Sequence, residues 1–227
     1  MNETSTVPAC VGIILDGNRR WAASRGLPKF EGHRAGFENV KTVTRIVRDA
    51  GIKHLVVYAF STENWNREPT EVAYLMGLFR ESIEKEMKEL GKEGIRIRFA
   101  GQRGRFSPDL QQSMHTVEKE TAEHEAFTLW VCLSYGGRAE IVAAASAAAK
   151  GGEITEETVS ENLWTAGMPD PDIIIRTSGE KRLSGFLTWQ SVYSELFFID
   201  TFWPDFTKEV FDSILAEFAL RERRRGK

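Results

Sequence analysis

The chain has 227 residues, 41% of them hydrophobic and 28% charged, with a formal net charge of −3. That length and balance fit one soluble domain with a full core, and the slightly acidic charge excludes a global basic field for nucleic acid. No apolar stretch is long enough to span a bilayer, the opening residues lack the pattern of a signal peptide, and Cys10 and Cys132 each sit in an apolar run, as buried thiols in a reducing, cytoplasmic compartment do.

Ile13-Ile14-Leu15 is an apolar run that stops at Asp16-Gly17-Asn18. This is the pattern of a buried strand with a polar turn past its carboxyl end, where open α/β sheets bind ligands. Asp16 offers oxygen ligands to a hard cation such as Mg²⁺. Gly17 lets backbone approach a ligand. Asn18 suits a helix N-cap, whose free N–H groups attract anions. Arg20 adds positive charge. Taken alone, the triplet is equally ordinary turn chemistry beside a solvated Arg pair.

Gly32-His33-Arg34-Ala35-Gly36 leads into a helix through Ala50, with Phe37, Val40, Val43 and Val47 at helical spacing. Residues 55–60 form a second apolar strand, running into 61–67. A polar helix is expected over 71–90, with Val72, Leu75, Phe79, Ile83, Met87 and Leu90 on one stripe. Ile95, Ile97 and Phe99 alternate with Arg96 and Arg98 in a third strand. Pro108 opens a helix to 124. Residues 127–133 make a fourth strand that ends at Ser134-Tyr135-Gly136-Gly137-Arg138. An Ala-rich helix runs to Lys150, and Thr155 starts a short one. Residues 172–176 and 195–199 are the fifth and sixth strands. The last helix covers 207–225, with Val210, Phe211, Ile214, Leu215 and Phe218 inward.

Strand and helix alternate, so residues 1–227 are expected to form a single α/β domain, with residues 1–10 flexible. Its architecture is a mostly parallel six-stranded sheet flanked by helices. The polar loops 16–20, 61–67, 134–138 and 176–184 then share one rim. They carry Arg20, Arg67, Arg138, Arg176, Lys181 and Arg182, with Lys29 and His33 close by in sequence and hydroxyls at Ser61, Ser178 and Ser184. The acids there are Asp16, Glu63 and Glu180. Such a cationic rim on an acidic protein points to phosphorylated substrates. The alternative is a set of solvated loops. Walker and Gly-x-Gly-x-x-Gly patterns are absent, and His54, His115 and His124 lack metal-ligand spacing.

The motifs Asp16-Gly-Asn-Arg-Arg-Trp21, Gly32-His-Arg-Ala-Gly36, Tyr58-Ala-Phe-Ser-Thr-Glu-Asn-Trp-Asn-Arg67, Ser134-Tyr-Gly-Gly-Arg138 and Ile175-Arg-Thr-Ser-Gly-Glu180 resemble, in this order, those of the cis-prenyltransferases. Bacterial undecaprenyl diphosphate synthases are the members most similar, and the stretch from Trp189 to Glu195 and Trp203-Pro-Asp-Phe206 match as well. The resemblance spans residues 11–226. It implies that isopentenyl diphosphate attacks C1 of an allylic diphosphate, implied to be farnesyl diphosphate. Diphosphate leaves, a cis double bond forms, and the cycle repeats to a long, undecaprenyl-type product for a cell-wall lipid carrier.

By this resemblance Asp16, Gly17, Asn18, Arg19, Arg20 and Trp21 hold the allylic diphosphate, aided by Lys29 and His33. Asp16 and Glu195 bind Mg²⁺. Arg176, Arg182, Leu183 and Ser184 hold isopentenyl diphosphate. Ser61, Thr62, Glu63, Trp65 and Arg67 belong to a mobile binding loop in which Asn64 is the family's proton acceptor. An amide is a very weak base, so a diphosphate oxygen is the better acceptor and Asn64 the better orienter. His33 titrates near neutrality and suits the departing diphosphate. Trp65 suits a lid over an apolar chain. The stripe on the 71–90 helix, with Phe127 and Leu129, is expected to wall an apolar tunnel for the prenyl chain, Phe127 at its floor; ordinary core packing is the alternative. Lys29 stands where many relatives have Arg, Lys181 where His is common and Ser134 where Asn is common. In the family an Arg-x-Gly ending, here Arg224 and Gly226, reaches the partner's site in a homodimer. The basic 220–227 tail otherwise reads as a frayed helix end or a peripheral membrane contact. The competing functions are a non-catalytic subunit of a heteromeric prenyltransferase, a short-chain synthase, and an unrelated phosphate-binding hydrolase.

Overall fold

Apolar runs without polar alternation build the middle of the sheet, as a sheet covered on both faces requires. The computed structural model describes residues 7–221. In chain order the elements are β1 (Cys10–Ile14), α1 (Asn18–Ser24), α2 (Lys29–Asp49), β2 (His54–Ser61), α3 (Pro69–Ser82), α4 (Lys88–Lys92), β3 (Ile95–Ala100), α5 (Pro108–Glu120), β4 (Phe127–Tyr135), α6 (Gly137–Gly151), α7 (Glu156–Glu161), β5 (Ile173–Arg176), β6 (Glu195–Phe198) and α8 (Lys208–Leu220). The six strands stand in the order β3-β4-β2-β1-β5-β6. Every neighbouring pair is parallel.

Successive strands move one way from β1 to β2 and the other way from β5 to β6. With right-handed crossovers, the two connections must leave over opposite faces. They do: Val40, Val43 and Val47 of α2 pack into the core on one face, and Phe186 and Leu187 of the β5–β6 connection pack into the core on the other. A crevice therefore opens at the carboxyl ends of β1 and β5, where ligands of such sheets bind.

Several expectations change in detail. Of residues 1–10, the described ones from Val7 onward lead into β1. Ala9 N donates to Asp172 Oδ2 at 2.7 Å, and Cys10 is fully buried in β1. The single helix expected over 71–90 is α3, a wide turn of π type over Ile83–Met87, and α4. The extra residue in that turn re-phases the helix and keeps Ile83, Met87 and Leu90 all buried. Helix α5 stops at Glu120, and the Thr121 that follows ties it to the sheet: its Oγ1 donates to Val117 O and accepts from Ile97 N of β3. The 207–225 helix is described to Leu220, and Arg224 and Gly226 lie outside the described residues. Cys10 and Cys132 are buried free thiols. Among the described residues no helix is long and apolar enough to cross a membrane.

Two glycines inside α2 set how near α1 can come. A Cβ on Gly32 would lie 2.0 Å from Asn18 O, and one on Gly36 2.2 Å from Asn18 Oδ1. The close approach seats α1, and with it the loop carrying Asp16, over α2. Gly32→Ala gains helix propensity but forces this packing apart. A net loss of about 1–3 kcal/mol is expected from the urea midpoint. Gly77→Ala, in α3 with nothing within 4 Å, is expected to be neutral or to stabilise by up to about 1 kcal/mol.

Candidate active site

The turn after β1 is held through its backbone groups before its own side chains act. Asp16 N donates to Thr177 Oγ1 at 3.0 Å, and Asp16 O accepts from Trp203 N at 3.0 Å. Gly17 has φ +101, and a Cβ there would lie 2.8 Å from Phe202 and 2.9 Å from Ser178, so glycine is required. The Asp16 carboxylate then meets Arg176 from the end of β5: Nη2 donates to Oδ2 at 2.8 Å. Gly17 N donates to Oδ1 at 2.7 Å, and Arg20 approaches Oδ1 at 3.4 Å. Arg176 is buried, at 5% exposure, and its Nη1 donates to Ser184 Oγ at 2.8 Å and to Arg182 O at 2.5 Å.

These groups open onto a pocket of about 700 Å³. Its rim carries five cations, Arg19, Arg20, Lys29, Arg67 and Arg176, against a single carboxylate, Asp16; His33, Ser61, Asn64 and Ser184 also face it. Its inner wall is apolar, made by Phe37, Val40 and Leu75. Phe37, Val40 and Ala59 continue into a small recess of about 20 Å³ that Phe79, Ile83, Met87, Phe99 and Val131 close. Phe127 and Leu129 pair with Ile95 and Ile97, deeper in the sheet than the Phe99–Val131 pair, and line neither space. The recess ends at Val131, two same-face positions above Phe127 on β4.

A second carboxylate, Glu71 near the start of α3, organises the cations. Glu71 is 2% exposed. It accepts from Lys29 Nζ at 2.9 Å and Arg67 Nη1 at 3.3 Å, and lies 3.2 Å from His33 Nε2. Burial alone would raise its carboxyl, but Lys29, Arg67 and Arg19 outweigh that and hold it below the usual range. Burial pushes His33 below its ordinary 6.5, against the pull of Glu71. The neutral imidazole is thereby favoured, and its Nε2 faces Glu71. The one available signal for Glu71 was its spacing, four residues after Arg67 on a helix-entry turn.

Other expected site residues lie apart. Trp21 Nε1 donates to Asp205 at 2.7 Å, under the Arg25 guanidinium. Thr62 packs against Gly136, Glu63 is exposed, and Trp65 turns to Phe60 and Phe106 rather than to the pocket as a lid. Arg182 is exposed and pairs with Glu180, and Leu183 packs on the far-face core. Arg138 and Lys181 are exposed outside the pocket. Asn64 does line it, yet its Oδ1 accepts from Ser61 N at 3.1 Å, which leaves the amide N–H groups for a ligand and no basic atom for a proton.

Glu195 stands apart from Asp16 within the chain. It pairs with Ile173, which pairs with Val11, so it lies at the opposite end of the sheet from Asp16. Its partner is Arg221 at 2.8 Å. An Asp16–Glu195 metal pair does not form within one chain. Among the described residues no group of three or more His, Cys, Asp or Glu side chains stands together to hold a metal. Asp16 alone fits an ion that draws most of its oxygens from a bound diphosphate and water, as Mg²⁺ does.

A cationic rim leading into an apolar pocket at a parallel sheet's switch point defines an enzyme for amphiphilic phosphates. Residues 14–226 match the family described as putative undecaprenyl diphosphate synthase, and the chain belongs to that family of cis-prenyltransferases. It is 45% identical to an isoprenyl transferase of Rhizobium meliloti, over 98% of this chain and 93% of that one. It is 43% identical to a ditrans,polycis-undecaprenyl-diphosphate synthase of Legionella pneumophila, named as (2E,6E)-farnesyl-diphosphate specific, over 97% of this chain and 96% of that one. The crystal structure of lavandulyl diphosphate synthase from Lavandula x intermedia, in complex with dimethylallyl diphosphate, superposes with a TM-score of 0.93 at 33% identity. The match covers 98% of this chain and 99% of that one.

Glu71→Gln removes the shared charge from Lys29, Arg67 and His33, and a loss of about 1–3 kcal/mol in chemical denaturation is expected. A neutral buried His33 stabilises the fold above its unfolded value of 6.5, and that share is lost as pH falls below it, because the unfolded chain then binds the extra proton. The thermal midpoint is expected to drop between about pH 7 and about pH 5.5, and less so in His33→Gln.

Proposed function

We propose that this enzyme condenses isopentenyl diphosphate with an allylic diphosphate in a Mg²⁺-dependent reaction that makes a cis double bond, and repeats the step to a long, undecaprenyl-type product. The observation that supports this most is the pocket's polarity: five cations surround one carboxylate at its mouth, and Phe37, Val40 and Leu75 line its inner end. A ligand with a diphosphate head and a hydrocarbon tail satisfies both ends at once.

In this reading Arg19, Arg20, Asn18 and the backbone around Gly17 take the allylic diphosphate. Arg176 and Ser184 take the isopentenyl diphosphate on the β5 side. Asp16 would hold Mg²⁺, which when bound neutralises charge developing on the leaving diphosphate. Arg20, already set beside Asp16, stabilises the same charge without reorganising. Asn64 orients isopentenyl diphosphate through amide N–H groups that donate to its oxygens, and a diphosphate oxygen accepts the proton that leaves as the new double bond forms. The apolar wall keeps water from the cationic allylic carbon. A homodimer completed by the basic tail, a cytoplasmic location and a peripheral membrane contact through the product belong to the same proposal. Farnesyl diphosphate is the proposed primer, as in the name of the Legionella pneumophila relative.

A second reading, a short-chain synthase, is favoured by the closed recess: Phe79, Ile83, Met87 and Phe99 leave about 20 Å³ beyond the main pocket. A long product requires these side chains to move aside. Incubation with radiolabelled isopentenyl diphosphate, Mg²⁺ and allylic primers of several lengths, followed by product sizing, decides between the two. Incorporation with dimethylallyl or farnesyl primers is expected, and no incorporation with any primer would sink both. A chelator should stop incorporation and added Mg²⁺ restore it. Asp16→Asn, which keeps the side chain's shape and an oxygen for Gly17 N or Arg176 but removes the charge, should lower turnover by about a hundredfold or more.

A further inference from the structure

The residues 62–66 form a single 3₁₀ turn, too short to hold its own shape in water. Yet it presents Ser61, Asn64 and Arg67 to the pocket. What fixes it lies on its other side. The Trp65 ring sits 5.1 Å from Phe60 and 5.5 Å from Phe106, between centroids, and the Arg105 guanidinium lies 4.7 Å over it. Its indole Nε1–H donates to Ser134 Oγ at 2.8 Å. Ser134, at the end of β4, is fully buried and holds φ +49, a conformation that glycine would adopt without strain. Its carbonyl accepts from Gln102 N at 3.1 Å, which ties the β3–α5 connection to the same point. The serine in this left-handed conformation supplies the hydroxyl that is the polar partner of the indole.

We propose that Ser134 is a positioning residue for the reaction. By accepting the Trp65 N–H it docks the 62–66 turn, so that Asn64 and Arg67 face the diphosphate pocket. Trp65 is then the anchor of the turn rather than a cover for the hydrocarbon. The inference rests on the prenyl-transfer reading of that pocket.

The test compares Ser134→Gly, Ser134→Asn and Trp65→Phe with the parent enzyme by steady-state prenyl transfer, hydrogen exchange of the 62–67 amides and thermal unfolding. Ser134→Gly removes the acceptor and relaxes the backbone. It should lower kcat/KM roughly two- to tenfold and speed exchange in 62–67, with the unfolding midpoint unchanged or raised. Ser134→Asn keeps an acceptor and tolerates the same backbone, and should recover most of the rate. In a Trp65→Phe background, Ser134→Gly should have no further effect on kcat/KM. Parent-like kcat/KM and parent-like exchange in Ser134→Gly would overturn the proposal, as would an undiminished effect in the Trp65→Phe background. An inactive parent enzyme would instead remove the functional reading, and unchanged exchange would remove the anchor independently of it.

Discussion

An ion pair joins the ends of two adjacent strands that are distant in the chain: Arg176 donates to Asp16 at 2.8 Å across 160 residues. Almost every feature of the pocket depends on it. Arg176 is buried and fixed through Ser184 and the carbonyl of Arg182, so the β5–β6 connection takes its course from the same guanidinium. Asp16 is fixed through its backbone by Thr177 and Trp203. The carboxylate and the arginine therefore hold each other at the switch point of the sheet, where a ligand meets both. A buried arginine with no counter-charge would be costly, and Asp16 supplies that charge until a diphosphate arrives.

Glu71 does for the opposite wall what Asp16 does for β5. It gathers Lys29, Arg67 and His33 from α2 and the 61–67 turn around one buried carboxylate. Two carboxylates thus pre-place the cations on either side of the pocket. Charges set in place beforehand stabilise a developing anion without the reorganisation that water would need. The neutral state of His33 follows from the same enclosure, because burial costs the imidazolium more than Glu71 returns.

Much of this was legible in the chain. Unbroken apolar runs gave the strands, and the polar stop at Asp16-Gly17-Asn18 placed the rim, because a parallel sheet brings all carboxyl ends to one side. What was not legible depends on contacts between distant segments. Glu195 looked like a metal ligand from its motif, but strand register sets its height in the sheet, and register is not written in a four-residue strand. Trp65 looked like a cover because a large ring beside a pocket is usually apolar lining, and the hydroxyl that turns it away comes from the end of β4. Glu71 looked like a helix-starting acid, since its burial arises only when α2 packs across α3. The residues that close the recess come from β4 and three other elements, a combination no single strand pattern displays.

The central place of β1 in the sheet bears on how the molecule is made. Its two neighbours are β2, which follows soon after, and β5, whose first residue is Ile173. A chain emerging from the ribosome can pair β1 on one side early, but its other edge stays open until most of the polypeptide has been synthesised. Contacts of such long sequence separation form slowly and leave an unpaired edge exposed meanwhile. Catalytic competence is thus a late event in the life of each new molecule, and the nascent β1 edge is the place where a chaperone has most to protect.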